Sequence, residues 1–258
     1  MELTLTMDEV FDRIITYLNA KQPLSVVRYG DGEAMVLKGF NDKENLHFIL
    51  KKLLGYVPSV SHIMAIRHNL IQAYREADII GIPVTNRHMS DPNSYWHKSG
   101  AILESSVGKE YLEKLEITNI DVHSHFLNQR YYDQLLNGIE TLCYISCRQL
   151  DDAFKRRYNI KKVYSFIIAP EMYYTPGYDG LQHFPDQYNE IKEWVETIPV
   201  KGNLCLVGAG VVGKIYNNWF RDQGGVSMDI GSIFDSWAGK LTRGPGRGAD
   251  VIDETYKL

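Results

Sequence analysis

Arg28, Asp31 and Glu33 lie close together in the run Val26-Val27-Arg28-Tyr29-Gly30-Asp31-Gly32-Glu33. A guanidinium meets phosphate oxygens through parallel, charge-assisted hydrogen bonds. Two carboxylates at alternate positions project the same way if the segment is extended. Such a pair is a hard-oxygen grip for a divalent cation. Gly30 and Gly32 permit backbone conformations that other residues resist, and they let a ligand approach the main chain. Residues 24–27 are an apolar run that ends at these groups, so the chemistry is placed at the end of a buried strand. The combination points to an enzyme acting on a phosphorylated ligand.

A second cluster is Gly208-Ala209-Gly210-Val211-Val212-Gly213, after the strand-like run Asn203-Leu204-Cys205-Leu206-Val207. Asp229 closes the next apolar run, 19 residues beyond Gly210. In form this is a dinucleotide fingerprint with its ribose-binding acid. Only 29 residues follow Asp229, however, too few for the strands that a Rossmann domain beginning here would still need. Three readings stay open. The turn closes a sheet begun upstream and offers a helix N-terminus to a phosphate. Its glycines serve strand–helix packing alone. Or it binds a nicotinamide dinucleotide, which would make the chain an NAD(P)-dependent oxidoreductase. A non-catalytic nucleotide-binding module is a further alternative.

The elements that must position these groups alternate. Apolar spacing predicts helices over 7–19, 43–54, 60–76, 111–115, 127–136, 149–158, 186–197 and 211–221. Short apolar runs predict strands over 24–27, 78–82, 117–122, 141–145, 163–169, 203–207 and 226–229. Strand–helix alternation implies an α/β fold, a mostly parallel sheet with helices on both faces. No linker or repeat divides the chain, so residues 1–258 read as a single domain. Ligands in such folds bind beyond the carboxyl ends of the strands. There the sequence places Arg28, Asp31 and Glu33, then Thr85, Asn86 and Arg87, then His123 and His125. Ser146 and Arg148, Glu171, Gly208 and Gly210, and finally Asp229, Ser232 and Asp235 complete the edge.

Composition excludes several classes. The net charge of −4 and pI near 6.1 provide no basic field for nucleic acid. No apolar run approaches the roughly 18 residues of a membrane span. The beginning of the sequence carries no secretory pattern. Three cysteines, Cys143, Cys147 and Cys205, make no disulfide framework and no zinc site. The expected location is the cytoplasm.

The octet resembles the R-[FY]-G-D-G-E signature of the GT-D glycosyltransferases, with Tyr29 where many members carry Phe. Gly208-Ala209-Gly210, Gly213-Lys214-Ile215-Tyr216 and Asp229-Ile230-Gly231-Ser232-Ile233-Phe234-Asp235-Ser236-Trp237-Ala238-Gly239 are similar to the closing block of that family. The resemblance implies a Rossmann-like α/β fold of GT-D type. It implies a nucleotide-diphosphate sugar donor such as UDP-glucose, and a glycan or glycoprotein acceptor in bacterial glycan assembly. Asp31 and Glu33 would form a DxE motif holding Mn²⁺ or Mg²⁺. Arg28, Gly30, Gly32, Gly208, Gly210, Lys214, Asp229 and Ser232 would shape the donor site. Asp235, Glu171 and Asp229 are the candidates to activate the acceptor, and Asp235 joins Asp31 and Glu33 as a catalytic assignment.

Other groups carry weaker signals. His123-Ser124-His125 has the spacing of a metal-binding pair but also of polar residues at a sheet edge. Lys240, Arg243 and Arg247 form a basic cluster that either covers a diphosphate or is a solvated end. Asn86 and Arg87 precede a turn at Asp91-Pro92 with a possible acceptor role. Trp237 suits either a sugar ring or the core.

Overall fold

The computed structural model describes residues 1–84, 95–171, 175, 177–242 and 254–258. The expectations on Thr85, Asn86, Arg87, Arg243 and Arg247 lie outside the described residues.

Seven strands form one all-parallel sheet: β1 (Leu24–Arg28), β2 (Ile79–Ile82), β3 (Glu116–Asn119), β4 (Thr141–Ser146), β5 (Lys162–Ile167), β6 (Leu204–Gly208) and β7 (Val226–Asp229). Their order is β3-β2-β1-β7-β6-β4-β5, so the first and last strands in sequence are neighbours at its centre. Leu24 pairs with Val226, Val26 with Ile79, and Ser146 with Gly208. Successive side chains feed opposite faces, as strand geometry requires. Val27, Ile145 and Val207 enter one core, while Val26, Tyr144, Leu206 and Met228 enter the other.

Helices cover both faces, which is what a parallel sheet needs. One layer contains α2 (Asp31–Lys38), α3 (Lys43–Leu54), α4 (Val60–Glu76), α5 (Tyr95–Val107), α6 (Lys109–Leu112), α10 (Asp186–Thr197) and α11 (Gly213–Asp222). The opposite layer contains α1 (Met7–Ala20), α7 (Val122–Asn128), α8 (Tyr131–Leu136), α9 (Asp151–Tyr158) and α12 (Ile233–Trp237). Sequence chemistry explains the boundaries. Thr6 and Glu9 close a reciprocal capping box on α1, worth about 1 kcal/mol. Gly55 ends α3 in the left-handed conformation that glycine tolerates.

The departures from expectation are local. The strand expected over 117–122 stops at Asn119, and Val122 already begins α7. The helix expected over 127–136 is two helices, because Arg130 takes a left-handed backbone between them. No helix is expected over the range of α5, and the helix expected over 111–115 overlaps only the short α6. The buried stripe of α5 is Ser99, Leu103 and Val107, one small step per turn with a serine in it, which is a faint periodic signal.

The departure with most bearing on function follows β1. Asp31 and Glu33 do not lie on an extended segment; they open α2. Gly30 stays extended as the N-cap, and Glu33 Oε2 reaches back to accept the Gly30 N–H at 3.0 Å. Acidic side chains in a first turn also match the positive end of the helix dipole. Two positions apart on a helix is about 200° around its axis, so the two carboxylates diverge.

Candidate active site

β4 continues outward to β5, while β6 continues inward to β7. Their carboxyl ends are hydrogen-bonded neighbours, and the chain leaves them in opposite directions. Such a switch point opens a crevice in α/β sheets. Here the crevice belongs to a cavity of ≈ 550 Å³ that extends along the carboxyl edge as far as β1 and β3. That volume is in the range of sites for ligands of nucleotide size.

At the β1–β7 end, four charged side chains interlock. Arg28 closes β1 and turns its guanidinium onto Asp229: Nε donates to the Asp229 carbonyl at 3.1 Å and Nη2 to Oδ1 at 3.3 Å. Nη1 donates to the ring of His123 at 3.0 Å. Lys214, in the first turn of α11, lies with Nζ 2.5 Å from Glu33 Oε1, 3.0 Å from Asp229 Oδ2 and 3.0 Å from the Gly210 carbonyl, to which it donates. The Asp229 contact is ionic rather than an aligned hydrogen bond. A Cβ on Gly231 would overlap Arg28 Nη2, and Gly231 has a left-handed φ of 53°. The glycine therefore makes room for the guanidinium.

Burial and partners act against each other in this cluster. Desolvation by itself would raise the Asp229 carboxyl; Arg28 and Lys214 outweigh it and hold the group below the usual carboxylate range. Desolvation would lower Lys214; Asp229 and Glu33 reverse that and hold it above its ordinary value. His123 has no compensating carboxylate strong enough. Burial, then the adjacent Arg28, push it far below an ordinary histidine, so it stays neutral and accepts from Arg28.

At the β4–β6 end the charges are fewer and wetter. Arg148 Nε donates to Asp235 Oδ1 at 2.7 Å, and Thr242 Oγ1 donates to Oδ2 at 2.7 Å. Arg148 N donates to Ser146 Oγ at 3.1 Å, which anchors the turn after β4. The Arg148 and Asp235 side chains keep 19% and 16% of their surface exposed, against 5% and 2% for Lys214 and Asp229. Cys147 faces the same cavity as a thiol that burial pushes up to about 11, so it is not a ready nucleophile.

A GT-D fold-like domain family matches residues 5–237. The chain belongs to the GT-D-like family. Two solved structures agree in fold. One bears the description "The highly conserved domain of unknown function 1792 has a distinct glycosyltransferase fold"; at 16% identity it covers 98% of this chain and 89% of its own, with a TM-score of 0.58. The other is described as a new glycosyltransferase of the same domain type from Streptococcus sanguinis; at 14% identity the coverage is 91% and 83%, with a TM-score of 0.53. No curated protein matches the chain.

Within this GT-D-like frame, the cavity gathers the donor-site and acidic residues that the resemblance implied: Arg28, Gly30, Asp31, Gly32, Glu33; and Gly208, Gly210, Lys214, Asp229, Ser232 and Asp235. Their work differs from expectation in several places. Gly208 serves packing, because a Cβ there would strike Phe234 and the Gly231 carbonyl. Asp229 is not a ribose acid: Oδ1 accepts from Arg28 and from Gly231 N, and Oδ2 faces Lys214. That takes from the oxidoreductase reading its acid, one of the two features it rested on; the other is the glycine turn at Gly208–Gly213. Asp235 accepts from Arg148 and from Thr242. His123 joins the cluster while His125 leaves it for Asp8 at 2.6 Å, so the two do not form a metal pair. Trp237 is core, packed edge-on against Tyr132, Phe154 and Phe234.

The partnership of Arg148 with Asp235 was not legible from spacing, since 87 residues separate them. Its one signal was the position of Arg148 just past a strand end. Neither Trp96 nor His183, both lining the cavity, was expected there. His183 donates to or accepts from Tyr216 at 2.9 Å, and burial lowers it to about 4.

Proposed function

We propose that the chain is a glycosyltransferase that moves a sugar from a nucleoside-diphosphate donor, UDP-glucose being the first to try, onto a glycan or glycoprotein acceptor. The observation that carries this reading is the pair of arginines, Arg28 and Arg148, each held by a fixed carboxylate in one cavity of a GT-D-like chain. The neighbour described as having a glycosyltransferase fold and the one described as a glycosyltransferase support it.

The chemistry follows from charge. As the glycosidic bond breaks, the departing diphosphate gains negative charge. Donors already oriented towards it stabilise that charge without reorganising. Arg28 has five N–H bonds. The contacts to Asp229 and His123 engage three of them, which leaves two for phosphate oxygens. Arg148, with Nε on Asp235, meets the nucleotide from the β4–β6 side of the cavity. Asp229, buried, and Asp235, partly exposed, keep the two guanidiniums from swinging away.

The cofactor in this reading is Mn²⁺ or Mg²⁺, and the donor set bears on how it would sit. Glu33 has Oε1 on Lys214 and Oε2 on the Gly30 N–H, so it does not fit as a ligand in this arrangement. Asp31 fits: it lines the cavity, with Oδ1 accepting from Gly32 N at 2.9 Å. Such ions commonly take one or two carboxylates plus the oxygens of the substrate phosphates. Bound there, the ion would add positive charge beside the leaving diphosphate.

No described helix is long and apolar enough to cross a membrane. All three cysteines are free thiols, which supports a cytoplasmic site of action. The test of the donor class is a thermal-shift panel of nucleotide sugars and NADH, with and without Mn²⁺. Stabilisation by a UDP- or other nucleoside-diphosphate sugar supports the reading; stabilisation by NADH alone sinks it.

A further inference from the structure

Lys214 is the least expected member of the charge cluster. Its side chain is 5% exposed, and three oxygens from three different elements surround its Nζ: Glu33 Oε1 from α2, Asp229 Oδ2 from β7 and the Gly210 carbonyl from the turn after β6. Two carboxylates and a carbonyl are the donor set that protein sites offer to a hard divalent ion. Here an ammonium occupies the centre. It donates to the Gly210 carbonyl and stands at ion-pair distance from both carboxylates, so its charge is matched inside the protein.

We infer that Lys214 is the resident cation of this oxygen cage, and that Glu33, the second acid of Asp31-Gly32-Glu33, serves the ammonium and not a metal ion. The division of labour between the two acids follows. Asp31 lines the cavity in the first turn of α2; Glu33 pairs with Lys214 and caps α2. Lys214 in turn holds Asp229, which holds Arg28. Lys214 is thus a positioning residue, tying β1, β7, α2 and the glycine turn into one unit. The inference stands on geometry and holds whether or not the chain transfers sugar.

The test is Mn²⁺ binding to the full chain, followed by electron paramagnetic resonance with and without UDP. The variants are Glu33→Gln, Asp31→Asn and Lys214→Met, with circular dichroism to check each fold. Lys214→Met is expected to create a nucleotide-independent Mn²⁺ site, at least about tenfold tighter than any in the wild type, the scale on which one group around a metal registers. Adding Glu33→Gln to that variant is expected to abolish the new site. In the wild-type background Glu33→Gln should leave Mn²⁺ binding with UDP unchanged, while Asp31→Asn weakens it. Loss of Mn²⁺ binding in Glu33→Gln alone would overturn the inference, and this comparison remains decisive if Lys214→Met does not fold. A folded Lys214→Met that gains no Mn²⁺ site would overturn it as well. Absence of Mn²⁺ binding in wild type with UDP would remove the metal from the proposed function, and the gain in Lys214→Met would still support the filled cage.

Discussion

The two ends of the cavity solve the same problem in opposite ways. At the β1–β7 end, Lys214 and Asp229 are almost dry, Glu33 and Arg28 keep 10% and 14% of their side-chain surface, and the four hold one another. At the β4–β6 end, Arg148, Asp235 and Thr242 are partly solvated and joined by single contacts. A buried charge is tolerated only when paired, and removing one partner leaves the other stranded. A partly solvated charge can fall back on water. The dry end therefore sets geometry and stability together, and the wet end can be tuned for ligand with little effect on the fold.

The largest expected effect comes from breaking the dry end. Asp229→Ala leaves Arg28 and Lys214 facing each other, and unfolding in urea should show a loss of about 3–5 kcal/mol. Asp235→Ala, its counterpart at the wet end, should lose about 1–2 kcal/mol. Equal losses at the two ends would erase the distinction.

Acid should act on the same contrast. His183 is buried and neutral, with its pKa lowered to about 4 from an ordinary 6.5. The unfolded chain thus binds a proton that the folded chain refuses, and stability rises with pH wherever that holds. The contribution is complete above pH 6.5 and is lost as pH falls towards 4, on the order of 3 kcal/mol in all. Asp229, held low by Arg28 and Lys214 against its own burial, adds a loss of the same sign below the ordinary carboxylate value. His183→Gln should make the curve between pH 6.5 and 4 shallower in denaturant titrations at each pH, leaving the slope that His123, likewise held neutral by burial, contributes, and the fall below pH 4.

At the wet end the effect should move from stability to ligand. Arg148→Ala is expected to weaken nucleotide-sugar binding by about tenfold to a hundredfold, the range of a hydrogen bond to a charged group. Isothermal titration reads the affinity, and urea unfolding should change by less than for Asp235→Ala. The smallest effect belongs to His125, which lies outside the cavity on Asp8. His125→Ala should leave nucleotide binding unchanged, and a loss of binding would restore the paired-histidine reading.

Much of this frame was legible before any coordinates. Helices 43–54, 60–76 and 186–197 match α3, α4 and α10 at both ends, because their apolar residues recur at helical spacing. The strand order was not legible. β7 lies beside β1 although nearly the whole chain separates them, and only packing decides that. The site was legible as a set of residues at strand ends, since a parallel sheet carries its polar groups to one edge. Its wiring was not. Asp31 and Glu33 suggest a pair by spacing, yet a single capping hydrogen bond starts α2 and turns them apart. Lys214 resembled a ligand-binding residue by family, and its true surroundings depend on three elements distant in sequence.

The measurement that bears most directly on the whole account is release of nucleoside diphosphate from a panel of nucleotide sugars by the purified chain. The expected result is turnover of at least one donor, UDP-glucose first among them, strongly reduced in Arg148→Ala while that variant stays folded. Failure of the folded wild-type chain to bind or cleave any nucleotide sugar, with NADH bound instead, would contradict it.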